Sequence, residues 1–135
     1  MALFQIERKV NNIEYEARTM RKTGKLDYIE FPATGGTLDG VKSFYSAAFG
    51  WSFTDYGPSY SAFEEGLDGG FHSDAAEGSA KPLPILYSED LEATLADVEA
   101  AGGKVVKPIF SFPGGRRFHF VDPAGNELAV WSEQS

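Results

Sequence analysis

The sequence contains no cysteine, and it has only two histidines, His72 and His119, among 135 residues. Disulfide bonds, zinc ribbons and thiol nucleophiles are therefore excluded. A metal site rich in nitrogen ligands would need both histidines, and any other metal site would consist mostly of carboxylates.

Long apolar runs and positive charge are also scarce. No segment approaches the ~20 apolar residues of a membrane span, and the N-terminus lacks the apolar core of a signal peptide. The formal net charge is −8, which disfavours binding along a nucleic-acid backbone. We therefore expect a cytoplasmic protein that binds neither membranes nor nucleic acids.

The sequence does contain enough apolar residues for one folded domain. Hydrophobic residues make up 42% of the chain and aromatic residues 14%, as in globular proteins. Residues 1–24 differ from the rest, because their apolar residues have the spacing of an amphipathic helix. These residues are Leu3, Ile6, Val10, Ile13, Ala17 and Met20. We expect an arm that packs on the domain or on a partner subunit. Alternatives are an accessory segment ahead of a natural start near Met20, or a strand, because "NNIEYEA" alternates.

The remainder, residues 25–135, repeats one order of elements. A strand ("LDYIEFPA"), a helix ("TLDGVKSFYSAAFG") and three short strands occupy about residues 25–78. A strand ("PLPILYS"), a helix ("DLEATLADVEAAGG") and three strands occupy about 79–135. Thr37 and Asp90 are the predicted N-caps, and a shift of about 53 residues superimposes the two helices.

This repeat predicts an α+β domain of tandem βαβββ modules, which form a curved eight-stranded sheet with a cup inside and helices outside. The turn before the last strand, Asp122-Pro123-Ala124-Gly125, has the composition of a type I turn followed by a left-handed glycine. We therefore expect a hairpin there.

The chain resembles the glyoxalase, bleomycin-resistance and extradiol-dioxygenase superfamily, also called vicinal oxygen chelate proteins. The resemblance lies in "FYSAAFGWSF", "VEAAGGKVVKP" and "FVDPAGNELAVW" and extends from Lys25 to Glu133. The combination is most similar to the branch related to lactoylglutathione lyase. The resemblance implies the tandem-module fold and a homodimer, because family members often complete their cups across an interface.

The resemblance also implies where a metal would be held, on the first and last strands of each module. The first-strand positions fall on Tyr28 and Leu83, and the closing glutamate position falls on Ala129. His72 stands at or next to the fourth position. Because leucine and alanine have no donor atom, we expect no metal and no other cofactor.

Several polar residues are predicted to face the cup and to bind a ligand. Glu30 is a candidate general base with a raised pKa, or else one member of a buried ion pair with Arg117 or Arg116. His119 is a candidate base or ligand, or else a supporting residue hydrogen-bonded to Glu127 or to a tyrosine. The predicted ligand-binding set is Tyr28, Glu30, Phe63, His72, Leu83, Tyr87, Arg117, His119, Glu127, Ala129 and Trp131.

Three functions are compatible with this pattern. The first is a metal-independent protein that binds a flat or amphipathic small molecule in its cup. The second is a glyoxalase-like lyase or isomerase that uses an improvised metal site or a Glu30/His119 acid–base pair. An improvised site would draw on Glu30, His72, His119 and Glu127. The third is a structural or regulatory dimer without a ligand.

Overall fold

The computed structural model describes residues 21–74 and 78–133, and in them the predicted α+β order of two βαβββ modules is confirmed. The predicted stripe from Leu3 to Met20 lies outside the described residues. The elements are β1 (Leu26–Pro32), α1 (Leu38–Phe49), β2 (Thr54–Asp55), β3 (Tyr60–Glu64), β4 (Asp68–His72), β5 (Leu83–Tyr87), α2 (Leu91–Ala100), β6 (Lys104–Phe112), β7 (Gly115–Val121) and β8 (Glu127–Ser132).

Contacts divide the chain into two compact units. The first unit is Tyr28–Leu83, and the second joins the residues from Pro84 onward to the residues up to Asp27. The residues up to Asp27, which include the first two residues of β1, thus belong to the second unit. The reason is backbone pairing: Gly24 N donates to Tyr87 O at 2.9 Å, and Tyr87 N donates to Lys25 O at 3.1 Å.

The same strand pattern is present in both units. In the first, β1 pairs with β4 in parallel, and β4, β3 and β2 follow in antiparallel order. In the second, β5 pairs with β8 in parallel, and β8, β7 and β6 follow in antiparallel order. No helix in the described ranges is long and apolar enough to cross a membrane.

Each helix covers one face of the strands of its own unit. In the first unit, Val41 and Tyr45 of α1 pack against Phe63 and Phe71. In the second unit, the core contains Leu91 of α2. This core also contains Phe118 and Val130, with Leu95 packed against them. Because successive strand residues point to opposite faces, the residues between these core positions lie on the face away from the helix.

Side-chain caps start the helices where the sequence predicts. Thr37 Oγ1 accepts a hydrogen bond from Gly40 N at 2.9 Å, and Asp90 Oδ1 accepts one from Ala93 N at 3.1 Å. The predicted hairpin turn is also confirmed, because Gly125 N donates to Asp122 O at 2.9 Å and Gly125 has a φ of 92°.

Gly115, at the start of β7, is a position where any side chain would collide with the next strand. Its φ is 156°, and a Cβ there would overlap the carbonyl oxygen of Ser132 on β8. We expect Gly115→Ala to lower the free energy of unfolding by about 2–3 kcal/mol, because the strands must separate to accept the methyl group. Urea denaturation measures the change.

The matched control is Gly35→Ala, where a Cβ would meet nothing within 4 Å. We expect that control to stay within about 0.5 kcal/mol of wild type. Equal stability of the two variants would show that β7 and β8 do not approach as described.

Candidate functional site

On β7, the polar residues Arg117 and His119 lie on the face away from α2. Phe118 and Phe120 belong to the core beneath the helix, so the alternation of the strand directs Arg117 and His119 to the other side. Both polar side chains are fully buried. These two residues therefore share the face away from α2, and their role in binding a ligand stays a prediction.

The neighbouring arginine has a different role. Arg116 forms a bidentate ion pair with Glu92 in the first turn of α2. Nη1 donates to Oε2 at 2.6 Å and Nη2 donates to Oε1 at 3.1 Å. This pairing holds the pKa of the Glu92 carboxyl below its usual range. Arg117 instead places its guanidinium carbon 5.4 Å from the ring centre of Phe110 and 6.0 Å from that of Phe112. Arg116 therefore pairs with α2, and only Arg117 of the two arginines lies on the face of the candidate site.

In the second unit, the buried His119 pairs with the half-buried Glu127. Nδ1 of His119 lies 2.8 Å from Oε2 of Glu127. Nε2 of His119 is buried and has no hydrogen-bond partner among the described residues. Burial, together with the charges of Arg117 and Lys107, outweighs Glu127 and lowers the pKa of His119 to about 4. The imidazole is therefore neutral at pH 7.

This pKa makes stability depend on pH in a defined window. Because the folded pKa of about 4 lies below the ordinary value of 6.5, the unfolded chain binds the proton first on acidification. The contribution of His119 to the free energy of unfolding is therefore fully present above pH 6.5. It is lost as the pH falls towards 4, by an amount on the order of 2–3 kcal/mol. The charged neighbours of the imidazole are Arg117, Lys107 and Glu127.

Urea denaturation at pH 7 and pH 4.5 measures this dependence, and His119→Phe is the matched variant. The variant has no titrating group at this position, while every carboxylate is shared with wild type. We expect wild type to lose more stability than the variant over this range. Parallel losses would contradict a neutral, buried His119.

The first unit holds a second buried polar group, which consists of Glu30, Tyr60 and Tyr28. The Tyr60 hydroxyl donates to Oε2 of Glu30 at 3.1 Å and lies 2.9 Å from the Tyr28 hydroxyl. Glu30 is 1% exposed. The carboxylate is therefore held by a tyrosine hydroxyl that the sequence prediction did not include.

Gly70 explains how Tyr60 reaches Glu30. Gly70 is opposite Glu30 in the parallel ladder and opposite Ala62 in the antiparallel one. A Cβ at Gly70 would lie 2.5 Å from the Tyr60 ring and hydroxyl. Adjacent glycines inside a strand are the sequence signal for such a close approach, and Gly69-Gly70 is that signal here.

Tyr60→Phe tests the contribution of this hydroxyl. Because the buried Glu30 carboxylate loses a donor, we expect unfolding free energy to fall by about 1–3 kcal/mol. Thermal or urea denaturation measures the loss. The control is Tyr45→Phe, since no described residue hydrogen-bonds the Tyr45 hydroxyl. The interpretation fails if the two phenylalanine variants are equally stable.

His72 is buried at the end of β4. Its Nε2 lies 3.3 Å from the carbonyl oxygen of Ser79, and its ring fills the space that a Cβ of Gly78 would occupy. Nδ1 of His72 is buried without a hydrogen-bond partner among the described residues. His72, which the sequence analysis predicts to bind a ligand, thus packs against the backbone of its own unit.

The residues at the family's metal positions do not fit a metal ion. Leu83 and Ala129 are completely buried and offer no donor atom, and the Tyr28 hydroxyl is hydrogen-bonded to Tyr60. Within residues 21–74 and 78–133, no group of three His, Asp or Glu side chains is placed to hold a metal ion.

Trp131 is the centre of an aromatic group in the second unit. The ring centre of Tyr87 is 5.4 Å away and that of Phe112 is 6.4 Å away. The indole N–H of Trp131 donates to Oδ2 of Asp27 at 2.7 Å. The guanidinium of Arg21 lies 5.1 Å from the Trp131 ring and its Nε donates to the same Asp27 oxygen at 2.9 Å.

Arg21 and Asp27 could not be identified from local sequence, because they lie more than a hundred residues before Trp131 in the chain. The predicted ligand-binding set also omits Phe110 and Phe112. The alternation of β6 is interrupted by two register irregularities, and this obscures which of its residues share a face.

Phe63 is not where the sequence analysis placed it. The prediction has Phe63 lining the cup, but its ring packs in the core beneath α1, 4.8 Å from the ring centre of Trp51. Tyr60, three residues earlier on the same strand, faces the other way. The physical reason is the period of two, since residues separated by an odd number point to opposite faces.

The fold and strand order define a protein of two βαβββ modules. The sequence matches the Glyoxalase/Bleomycin resistance protein/Dioxygenase superfamily over residues 25–130. The chain therefore belongs to this superfamily, as its sequence resemblance predicts. No curated protein matches the sequence, and the lactoylglutathione-lyase branch stays a prediction.

Solved structures share the fold at low identity. A Mn(II)-bound glyoxalase from Novosphingobium aromaticivorans has a TM-score of 0.58 and 21% identity, over 84% of this chain and 40% of that one. A methylmalonyl-CoA epimerase from Mycobacterium tuberculosis has a TM-score of 0.59 and 12% identity, over 83% and 89%. A superfamily member from Vibrio splendidus 12B01 has a TM-score of 0.61 and 16% identity, over 80% and 99%. At these identities the comparisons show a shared fold, and a fold alone does not determine an activity.

Proposed function

We propose that this protein binds a small organic molecule without a metal ion. The observation that carries the proposal is the identity of the residues at the family's metal positions. Leu83 and Ala129 have no donor atoms and are completely buried, so a catalytic metal would lose two of its usual protein ligands. We place the organic ligand on the face of the strands away from the helices, beside the buried side chains of Arg117 and His119.

The side chains on that face in the second unit suit a flat molecule. Phe110 and Phe112 lie against the Arg117 guanidinium, and Tyr87 lies against Trp131. Binding sites for small molecules are typically lined by aromatic side chains with a few fixed polar groups. His119 and Glu127 are the fixed polar pair here.

The second candidate is an enzyme of the lyase or isomerase class, and His119 is the observation that favours it. A histidine with Nδ1 hydrogen-bonded to a carboxylate and Nε2 unpaired has the arrangement of a general base. Its pKa of about 4 weakens this candidate, because proton transfer is most efficient when the pKa of the base is near the working pH. We therefore favour binding over catalysis.

Metal content and thermal stability test the leading proposal. The purified full chain is assayed for bound metal and then heated with manganese, iron, nickel or zinc, and separately with aromatic compounds. A ligand of the folded state at a hundred times its Kd adds about 2.7 kcal/mol of stability. We expect that increase from an aromatic compound and no increase from any metal.

His119→Gln is the variant that separates the two candidates. A stoichiometric metal, lost in this variant, would overturn the proposal and favour an improvised metal site. Deuterium exchange into methylmalonyl-CoA, abolished by the same substitution, would favour the enzyme. A homodimer is also proposed from the family resemblance, and the solution mass measures it.

A further inference from the structure

We propose that the ligand carries an N–H or O–H group, which donates a hydrogen bond to Nε2 of His119. This inference rests on the proposed binding function and names the chemical class of the ligand. It begins from one atom, because Nε2 is buried and has no hydrogen-bond partner among the described residues. Buried polar atoms in folded proteins nearly always have a partner.

The hydrogen bond on the other side of the ring determines the chemistry of this atom. Nδ1 lies 2.8 Å from Oε2 of Glu127, and a carboxylate only accepts hydrogen bonds. The proton of the neutral imidazole is therefore on Nδ1, and Nε2 carries a lone pair. An acceptor at Nε2 requires a donor on the ligand.

Protonation of the imidazole does not provide an alternative at neutral pH. The Arg117 guanidinium on the same strand and the burial of the ring both disfavour a second positive charge. A carboxylate group of a ligand would place its own lone pairs against that of Nε2. A ligand group that donates a hydrogen bond to Nε2 is therefore favoured, and a group that only accepts hydrogen bonds is disfavoured.

The surroundings of His119 select a flat apolar body for the same ligand. The Phe110 ring centre lies 5.8 Å from that of His119, with 40° between the planes. The residue opposite His119 on β8 is Ala129, which presents only a methyl group. Aromatic molecules with one donor, such as phenols, anilines and indoles, combine the required body and group.

Matched pairs of aromatic compounds test the requirement for a donor. Phenol is compared with fluorobenzene, aniline with toluene, and indole with N-methylindole, by titration of the full chain followed by NMR. We expect the donor of each pair to bind roughly tenfold to a hundredfold more tightly, because its partner leaves Nε2 buried without a hydrogen bond. In His119→Phe this ratio falls to about one.

Arg116→Gln is the control, since Arg116 precedes Arg117 on β7 and faces α2, where it pairs with Glu92. We expect the ratio to be unchanged in this variant. If donors and their partners bind equally, the binding function stands and the donor requirement is wrong. If no aromatic compound of the set binds, the proposed function itself is wrong.

The imidazole ¹⁵N shifts give a readout that does not depend on any ligand. We expect the His119 signals of the free protein at pH 7 to show a protonated Nδ1 and an unprotonated Nε2. Addition of indole then moves the Nε2 signal and leaves Nδ1 nearly unchanged. A proton on Nε2 in the free protein would overturn the inference even where binding is observed.

Discussion

The alternation of side chains along the strands is the constraint on which the rest of the structure depends. In each unit a helix packs against one face of four strands, and the apolar residues at every second position meet it. The residues between them must then lie on the other face. Phe118 and Phe120 beneath α2 thereby determine that Arg117 and His119 are neighbours on the opposite side. The candidate site is thus a consequence of core packing.

Two buried polar residues, His119 and Glu30, are held by partners that come from other strands. His119 on β7 is held by Glu127 on β8, and Glu30 on β1 is held by Tyr60 on β3. Burying such groups is favourable only when hydrogen bonds replace those lost to water. Nε2 of His119, like Nδ1 of His72, is buried without a hydrogen-bond partner among the described residues. In our proposal the ligand supplies the missing partner of Nε2.

Much of the fold follows from local sequence. The caps at Thr37 and Asp90 and the turn at Asp122 each depend on residues only a few positions apart, so their patterns are sufficient to predict them. The sequence narrows the partner of His119 only to Glu127 or a tyrosine, and the structure places Glu127 on the adjacent strand of the hairpin. Phe63 shows the limit: choosing between Phe63 and Tyr60 requires knowing which face of β3 the helix covers, and a short strand rich in apolar residues does not reveal it.

By itself, the sequence determined the two-module order, the residues at the metal positions and the chemical groups available for a site. Only the tertiary structure decided that Tyr60 reaches Glu30 across Gly70, that Arg21 and Asp27 hold Trp131, and that the imidazole of His119 keeps one nitrogen without a partner. The physical reason is separation along the chain. Residues close in sequence interact through backbone geometry that local patterns encode, whereas distant residues meet only through strand register, burial and packing.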